Sequence, residues 1–201
     1  MPSARPMMLP RNNQGCGSTR QWKQGSIMKL NALILSGLFI SAIAHAASTT
    51  VTLKEALPTG DGDTLGNITI TETEYGLLFS PNLKGLQPGI HGFHVHANAS
   101  CAPGTQNGNT VPALAAGGHL DPQKTGRHLG PYNDKGHLGD LPGLVVNADG
   151  SATYEVLAPR LKSLSEVKDH ALMVHTGGDN YADTPKELGG GGMRIACGVI
   201  Q

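Results

Sequence analysis

His94 and His96 flank Val95 in the string GFHVH, residues 92–96. In an extended strand alternate side chains share a face, so Phe93 and Val95 point one way and the two imidazoles the other. Rings two residues apart stand roughly 7 Å from each other along the strand, close enough to grip one metal ion. By itself such a pair is more often a half-exposed surface feature. Residues further along the chain change its weight: His119, His128, His137, Asp140 and His175 sit in glycine-rich or strand-end settings. His119, His128, His137 and Asp140 supply three imidazoles and a carboxylate, a closed four-coordinate set suited to zinc. Gly118, Gly126, Gly130, Gly136 and Gly139 surround them and permit the sharp turns that converging ligands need. His94, His96 and His175 offer nitrogen donors from two strands, which suits copper as well as zinc. Neither a Met nor a Cys stands near them as a blue-copper site requires, which argues against electron transfer as the task.

The elements that must carry these groups read as short strands broken by turns. Alternation or strand-forming composition marks 49–57, 67–73, 75–80, 92–97, 143–146, 151–157, 171–175 and 193–200. Eight short strands without a convincing amphipathic helix predict an all-β antiparallel sandwich or flattened barrel. Residues 161–167 allow one helical turn at most. Residues 97–142 show no strand periodicity and are dense in Gly, Pro, Asn and His. A structureless stretch of that length is expected only where it is functional, and this one holds His119, His128, His137, Asp140 and Cys101. Metal ions and a disulfide would replace the core it cannot form.

The first 46 residues differ in kind. They contain Arg5, Arg11, Arg20, Lys23 and Lys29 and no acidic residue. From Met28 the pattern is that of a secretory signal: Lys29, an apolar run from Leu30 to Ala44, and Ala44-His45-Ala46 as the cleavage site. The run is short for a membrane span. The expected organisation is therefore an upstream extension over 1–27, a signal peptide over 28–46 and one domain over 47–201. Removing the first part removes Cys16 and leaves Cys101 and Cys197, an even pair suited to an oxidising compartment, with two free thiols as the alternative. The domain keeps ten basic against fifteen acidic residues, a formal charge of −5. With no basic run and few aromatic residues, it lacks what a nucleic-acid binder needs.

The strings GFHVH (92–96), GGHLDP (117–122), GRHLGP (126–131), KGHLGDLPG (135–143), VHTGGDN (174–180) and GGMRIACGVI (191–200) resemble those of copper/zinc superoxide dismutases, most closely the bacterial periplasmic type. The resemblance covers nearly all of 49–200, with every metal-binding string in order. It implies an eight-stranded antiparallel Greek-key sandwich or flattened barrel with long metal-binding loops. It also implies one copper and one zinc ion per subunit and disproportionation of superoxide to O2 and hydrogen peroxide by a Cu(II)/Cu(I) cycle. Carried over residue by residue, His94, His96, His119 and His175 would bind copper, and His119 would bridge to zinc, completed by His128, His137 and Asp140. Cys101 and Cys197 would form the family's disulfide. Arg194 would sit beside copper and receive the anion, with His119 relaying a proton. His91 matches a histidine that braces loop backbone, and His170 reads as a solvated surface residue. Asp179 and Asp183 are both candidates for the carboxylate linking the two metal sites.

Residues 176–190 are shorter than the charged guiding loop of the animal and plant members, which leaves Lys186 or Lys135 as candidate substitutes. A homodimer is one option for assembly, and no membrane span is expected once the signal is removed. Two other readings compete. A non-catalytic copper- or zinc-binding or chaperone module on the same fold would tend to lose copper ligands or the arginine, and here all are present. A zinc hydrolase would want an open zinc position and a base such as that in His-Glu-x-x-His, a motif the sequence lacks.

Overall fold

A computed structural model describes residues 46–201. The upstream extension and, except for Ala46, the signal peptide lie outside the described residues. Three long strands come first, β1 (Ser48–Leu57), β2 (Gly60–Thr73) and β3 (Gly76–Leu83). Alternation drives them: Val51 and Leu53, then Leu65, Ile68 and Ile70, then Leu77 and Phe79, are all buried. Thr73 closes the β2–β3 turn, its hydroxyl accepting from the N–H groups of Tyr75 and Gly76. Gly76 cannot be replaced easily, because a Cβ there would lie 2.3 Å from the Ala158 carbonyl oxygen.

The remaining strands are β4 (Gly89–His91), β5 (Phe93–His96), β6 (Gly104–Gln106), β7 (Asn109–Val111), β8 (Leu144–Val146), β9 (Val156–Ala158), β10 (His170–His175) and β11 (Arg194–Ile200). Seven of the eleven described strands form one antiparallel sheet in the order β5-β10-β11-β1-β2-β3-β9, while β4 pairs with β8 and β6 with β7. In a flat sheet β5 and β3 would lie five strand steps apart, roughly 24 Å. Yet Phe93 of β5 and Phe79 of β3 meet edge to face with ring centroids 5.7 Å apart. The sheet therefore curls over a shared apolar core into a half-barrel, in line with the antiparallel sandwich or flattened barrel that the strand pattern predicts.

Eleven strands among the described residues replace the expected eight. β4 is too short to show a period. The strand expected at 151–157 starts only at Val156, and Ala152 contributes an isolated bridge to Leu83. Residues 97–142 are not structureless either. They contain the β6–β7 hairpin, turned by Asn107-Gly108 with φ of 53° and 78°, and a 3-10 turn at Leu114–Ala116. The helical turn allowed at 161–167 is a 3-10 turn over Leu164–Glu166, closed by a reciprocal cap between Ser163 and Glu166.

A disulfide joins Cys101 to Cys197 on β11, across 96 residues of chain. In the chain-entropy picture closing such a loop stabilises by roughly 4–5 kcal/mol. Around it Ala113, Ala116, Ala171 and Met173 form a second small apolar cluster. The otherwise coreless segment is thus docked at the end of the sheet that carries β5 and β10.

Candidate metal centre

β5 places Phe93 and Val95 in the core and turns His94 and His96 to the outer face, with ring centroids 6.4 Å apart. β10 lies beside it, pairing Met173 with His94 and Ala171 with His96, and ends in His175. A register shift after Val174 sets His175 opposite Arg194. The loop side chains reach the strand through backbone bridges, His96 to His119 and His94 to Asp140. The Val95 N–H donates to the Gly139 carbonyl at 2.9 Å, and the Val95 carbonyl accepts from Leu120 at 2.8 Å. Gly139 is obligatory at this contact, since a Cβ would lie 2.2 Å from the Val95 oxygen.

Two groups of side chains result. His94, His96, His119 and His175 converge with one ring nitrogen each, and so do His119, His128, His137 and Asp140 with three nitrogens and an oxygen. His119 belongs to both. In the first group the Nε2 atoms of His96 and His175 lie 3.3 Å apart. In the second, Asp140 Oδ1 is approached by Nδ1 of His119, His128 and His137 at 2.8, 3.0 and 3.4 Å. A tetrahedral centre with bonds of about 2.0 Å has ligand–ligand edges of roughly 3.3 Å, so these separations suit zinc. His94 Nδ1 and His119 Nε2 are buried without a hydrogen-bond partner, and buried His128 Nδ1 and His137 Nδ1 face only Asp140, without hydrogen-bond geometry. Buried nitrogens of this kind are costly unless something accepts their lone pairs, and the paired donor sets fit metal ions.

The opposite ring nitrogens of His94, His96, His128 and His175 are engaged. His96 Nδ1 donates to the Gly117 carbonyl at 2.9 Å and His175 Nδ1 to that of Gly192 at 3.1 Å. Asp179 accepts from His94 Nε2 at 2.8 Å with one oxygen and from His128 Nε2 at 2.7 Å with the other. It thereby ties the two groups together from behind. Asp183 instead accepts from the His128 backbone N–H at 3.0 Å, which separates the two candidates the spacing left equal. Such contacts fix each ring's tautomer and orientation. Tyr181, which sequence reasoning missed, donates its N–H to Asp179 and accepts from Gly143 N–H on its hydroxyl. No spacing rule in the sequence marks it.

Arg194 is half-buried and donates to the carbonyls of Ala113 and Gly117. Gly117 therefore receives both Arg194 and His96. His91 lies between the carbonyls of His175 and Gln87, each at 2.7 Å, bracing the backbone as expected. His170 departs from its expected role: it is half-buried and bonds the Ala97 carbonyl at 2.7 Å, pinning the first residue of the long loop. Lys135 and Lys186 are exposed.

Burial pushes the imidazole pKa values down, that of His94 to about 3 and of His175 to about 4, with neighbouring rings adding to the effect. His96 and His119 are lowered for the same leading reason. His128 differs: burial opposes its charge, but Asp140 and Asp179 outweigh burial and raise it to about 9. Both carboxylates are held below the usual range, because their histidine partners overcome the cost of burying them.

The family described as copper/zinc superoxide dismutase matches residues 64–200. Superoxide dismutase [Cu-Zn] 1 of Salmonella typhimurium is 68% identical over 169 residues, 84% of this chain and 96% of the relative. The Cu/Zn superoxide dismutase structure from Brucella abortus superposes with a TM-score of 0.76 at 59% identity, over 77% of this chain and all of that one. A solution structure of the monomeric enzyme from Salmonella enterica gives 0.70 at 61%, with the same coverage. The matched span contains both groups of converging side chains, and at this identity and coverage the chain belongs to the copper/zinc superoxide dismutase family.

Proposed function

We propose that His94, His96, His119 and His175 hold copper, that His119, His128, His137 and Asp140 hold zinc, and that the chain disproportionates superoxide there. The observation that carries this is the sharing of one ring: His119 presents Nδ1 to the carboxylate-bearing group and a partnerless Nε2 to the all-imidazole group. Copper in the first group would supply the one-electron oxidation of one superoxide to O2 and the one-electron reduction of a second, which takes up two protons to become hydrogen peroxide. The protein does the rest. Arg194, anchored through two carbonyls beside His96 and His175, presents a fixed positive charge to a small anion entering a domain that is acidic overall. His119 is the proton carrier at Nε2, while its Nδ1, 2.8 Å from Asp140 Oδ1, would face zinc together with that carboxylate. Asp179 holds His94 and His128 in one frame.

We also assign the domain to 47–201 and the mature enzyme to the periplasm. The apolar run from Leu30 to Ala44 and the Cys101–Cys197 disulfide support this, since such bonds persist in oxidising compartments. Among the described residues no helix is long and apolar enough to cross a membrane. Subunit number is read directly by sedimentation, and the exposed cross-strand pair Ile90 and Val145 gives the first substitutions to try if a homodimer is found.

The test is metal content together with superoxide consumption of residues 47–201. The reading requires one copper and one zinc per chain and rapid consumption; a single ion per chain, or two ions without turnover, would overturn it. Arg194→Ala should keep both metals and lower kcat/KM at least about tenfold, the loss of one guanidinium–anion contact. An unchanged rate in that variant would remove Arg194 from the mechanism.

A further inference from the structure

The stretch between His128 and His137 has little of its own to hold it. Tyr132, Asn133, Asp134 and Lys135 are exposed, Tyr132 by 71%. From outside this stretch, one side chain reaches its backbone at three places. Arg160 Nη1 donates to the His137 carbonyl at 2.9 Å and to that of Gly130 at 3.4 Å, and Nη2 donates to the Gly136 carbonyl at 2.9 Å. Its Nε lies 3.6 Å from the exposed Asp134 carboxylate, while the Arg160 side chain itself is only 12% exposed.

The three carbonyls are not arbitrary. His137 is one of the converging side chains. Gly136 precedes it. Gly130 donates its N–H to Asp140 Oδ2 at 3.2 Å, so this residue is held by Arg160 at its carbonyl and steadies the carboxylate with its N–H. The base of Arg160 is equally fixed: it follows β9, and the next residue, Leu161, is fully buried and accepts from Leu77 of β3 at 2.9 Å. A planar guanidinium suits this task, because its forked donors can meet several carbonyls at once and its charge strengthens each bond.

We propose that Arg160 is a positioning residue for the zinc site, clamping the 130–137 backbone to the sheet so that His137 and Asp140 are presented in register. The inference rests on the assignment of His119, His128, His137 and Asp140 to zinc. Outer partners of metal ligands typically govern affinity by 10–100-fold, and Arg160 acts on His137 through its carbonyl and on the Asp140 carboxylate through Gly130. The clamp has no contact with His94, His96 or His175, so copper retention should be left unchanged.

Arg160→Lys keeps the stem and the charge but brings a single donor point to three acceptors; Arg160→Met removes the charge as well. Zinc affinity and chelator-driven zinc release are measured on residues 47–201 for both variants, alongside Asp140→Ala. The spectrum of cobalt(II) bound in place of zinc reports ligand geometry independently of activity. The proposal expects both Arg160 variants to lose about tenfold or more in zinc affinity, release zinc faster and alter the cobalt spectrum, with copper affinity unchanged. Wild-type zinc affinity and cobalt spectrum in Arg160→Lys would overturn it, and so would equal losses of copper and zinc, which would indicate general loosening. If Asp140→Ala retains zinc at wild-type affinity, the zinc assignment itself falls, whatever the Arg160 variants do.

Discussion

The two halves of the metal centre share His119 and are built in opposite ways. In the all-imidazole half, His94 and His96 come from β5 and His175 from the end of β10. In the other half, every group comes from the long segment after β5. The first is placed by ladder pairing that the core already enforces; the second by backbone bridges at His119 and Asp140, by Asp179 and by Arg160. Their response to protons differs as well. The strand-borne rings shed protons under burial, which keeps lone pairs free. His128, between two carboxylates, attracts one. This chain thus pairs a strand-borne group that rejects protons with a loop-borne group that carries a carboxylate and, at His128, attracts a proton.

The sharpest way to break this division is His119→Ala, which removes the only ring common to both groups. Zinc affinity and superoxide turnover should fall together, each by about 100-fold or more, since a direct ligand outweighs the outer partners that govern affinity by 10–100-fold. Zinc titration and stopped-flow superoxide decay read the two separately. Loss of one with retention of the other would show that His119 serves a single site.

Asp179→Asn should act less strongly, and its distribution matters more than its size. The amide keeps one acceptor oxygen where the carboxylate offered two, so His94 Nε2 or His128 Nε2 is left facing an N–H group. A loss of about tenfold in affinity is expected for whichever metal's ring is deprived. Equal wild-type affinities for both metals would mean that Asp179 does not hold the rings.

The sequence showed the strand-borne half best because its code is local. Alternation alone puts His94 and His96 on one face of β5, and glycines around His119, His128 and His137 announce turns. What stayed hidden depends on contacts between distant backbones. Asp179 and Asp183 are equivalent by spacing, and only the path of the loop turns one toward the rings and the other toward the His128 N–H. Arg160 escaped because its acceptors are carbonyls, which every residue carries. His170 read as solvated because the Ala97 carbonyl it binds belongs to a loop 73 residues away. The β6–β7 hairpin was within reach: Asn107-Gly108 is a strong turn signal, overlooked because three-residue strands show no alternation.

A different kind of effect is expected in the metal-free chain, where protons take the place of a dication. His128 is raised from an unfolded value of 6.5 to about 9 in the fold. A raised folded value means that the native state binds the extra proton, so its contribution to stability is complete below pH 6.5 and disappears as pH rises to about 9. One proton of difference corresponds to at most about 1.4 kcal/mol per pH unit. On the acid side the sign reverses. His94 and His175, lowered to about 3 and 4, leave the unfolded chain binding more protons, so stability falls as pH drops below 6.5. Denaturant midpoints of metal-free protein at pH 5, 6.5 and 9 should therefore be highest at 6.5. The alkaline decline should vanish in His128→Gln, while the acid decline, which belongs to the strand-borne rings, should persist. A midpoint unchanged between pH 6.5 and 9 in the unsubstituted chain would mean that His128 is not held charged between Asp140 and Asp179, and the two halves would then not differ in their appetite for protons.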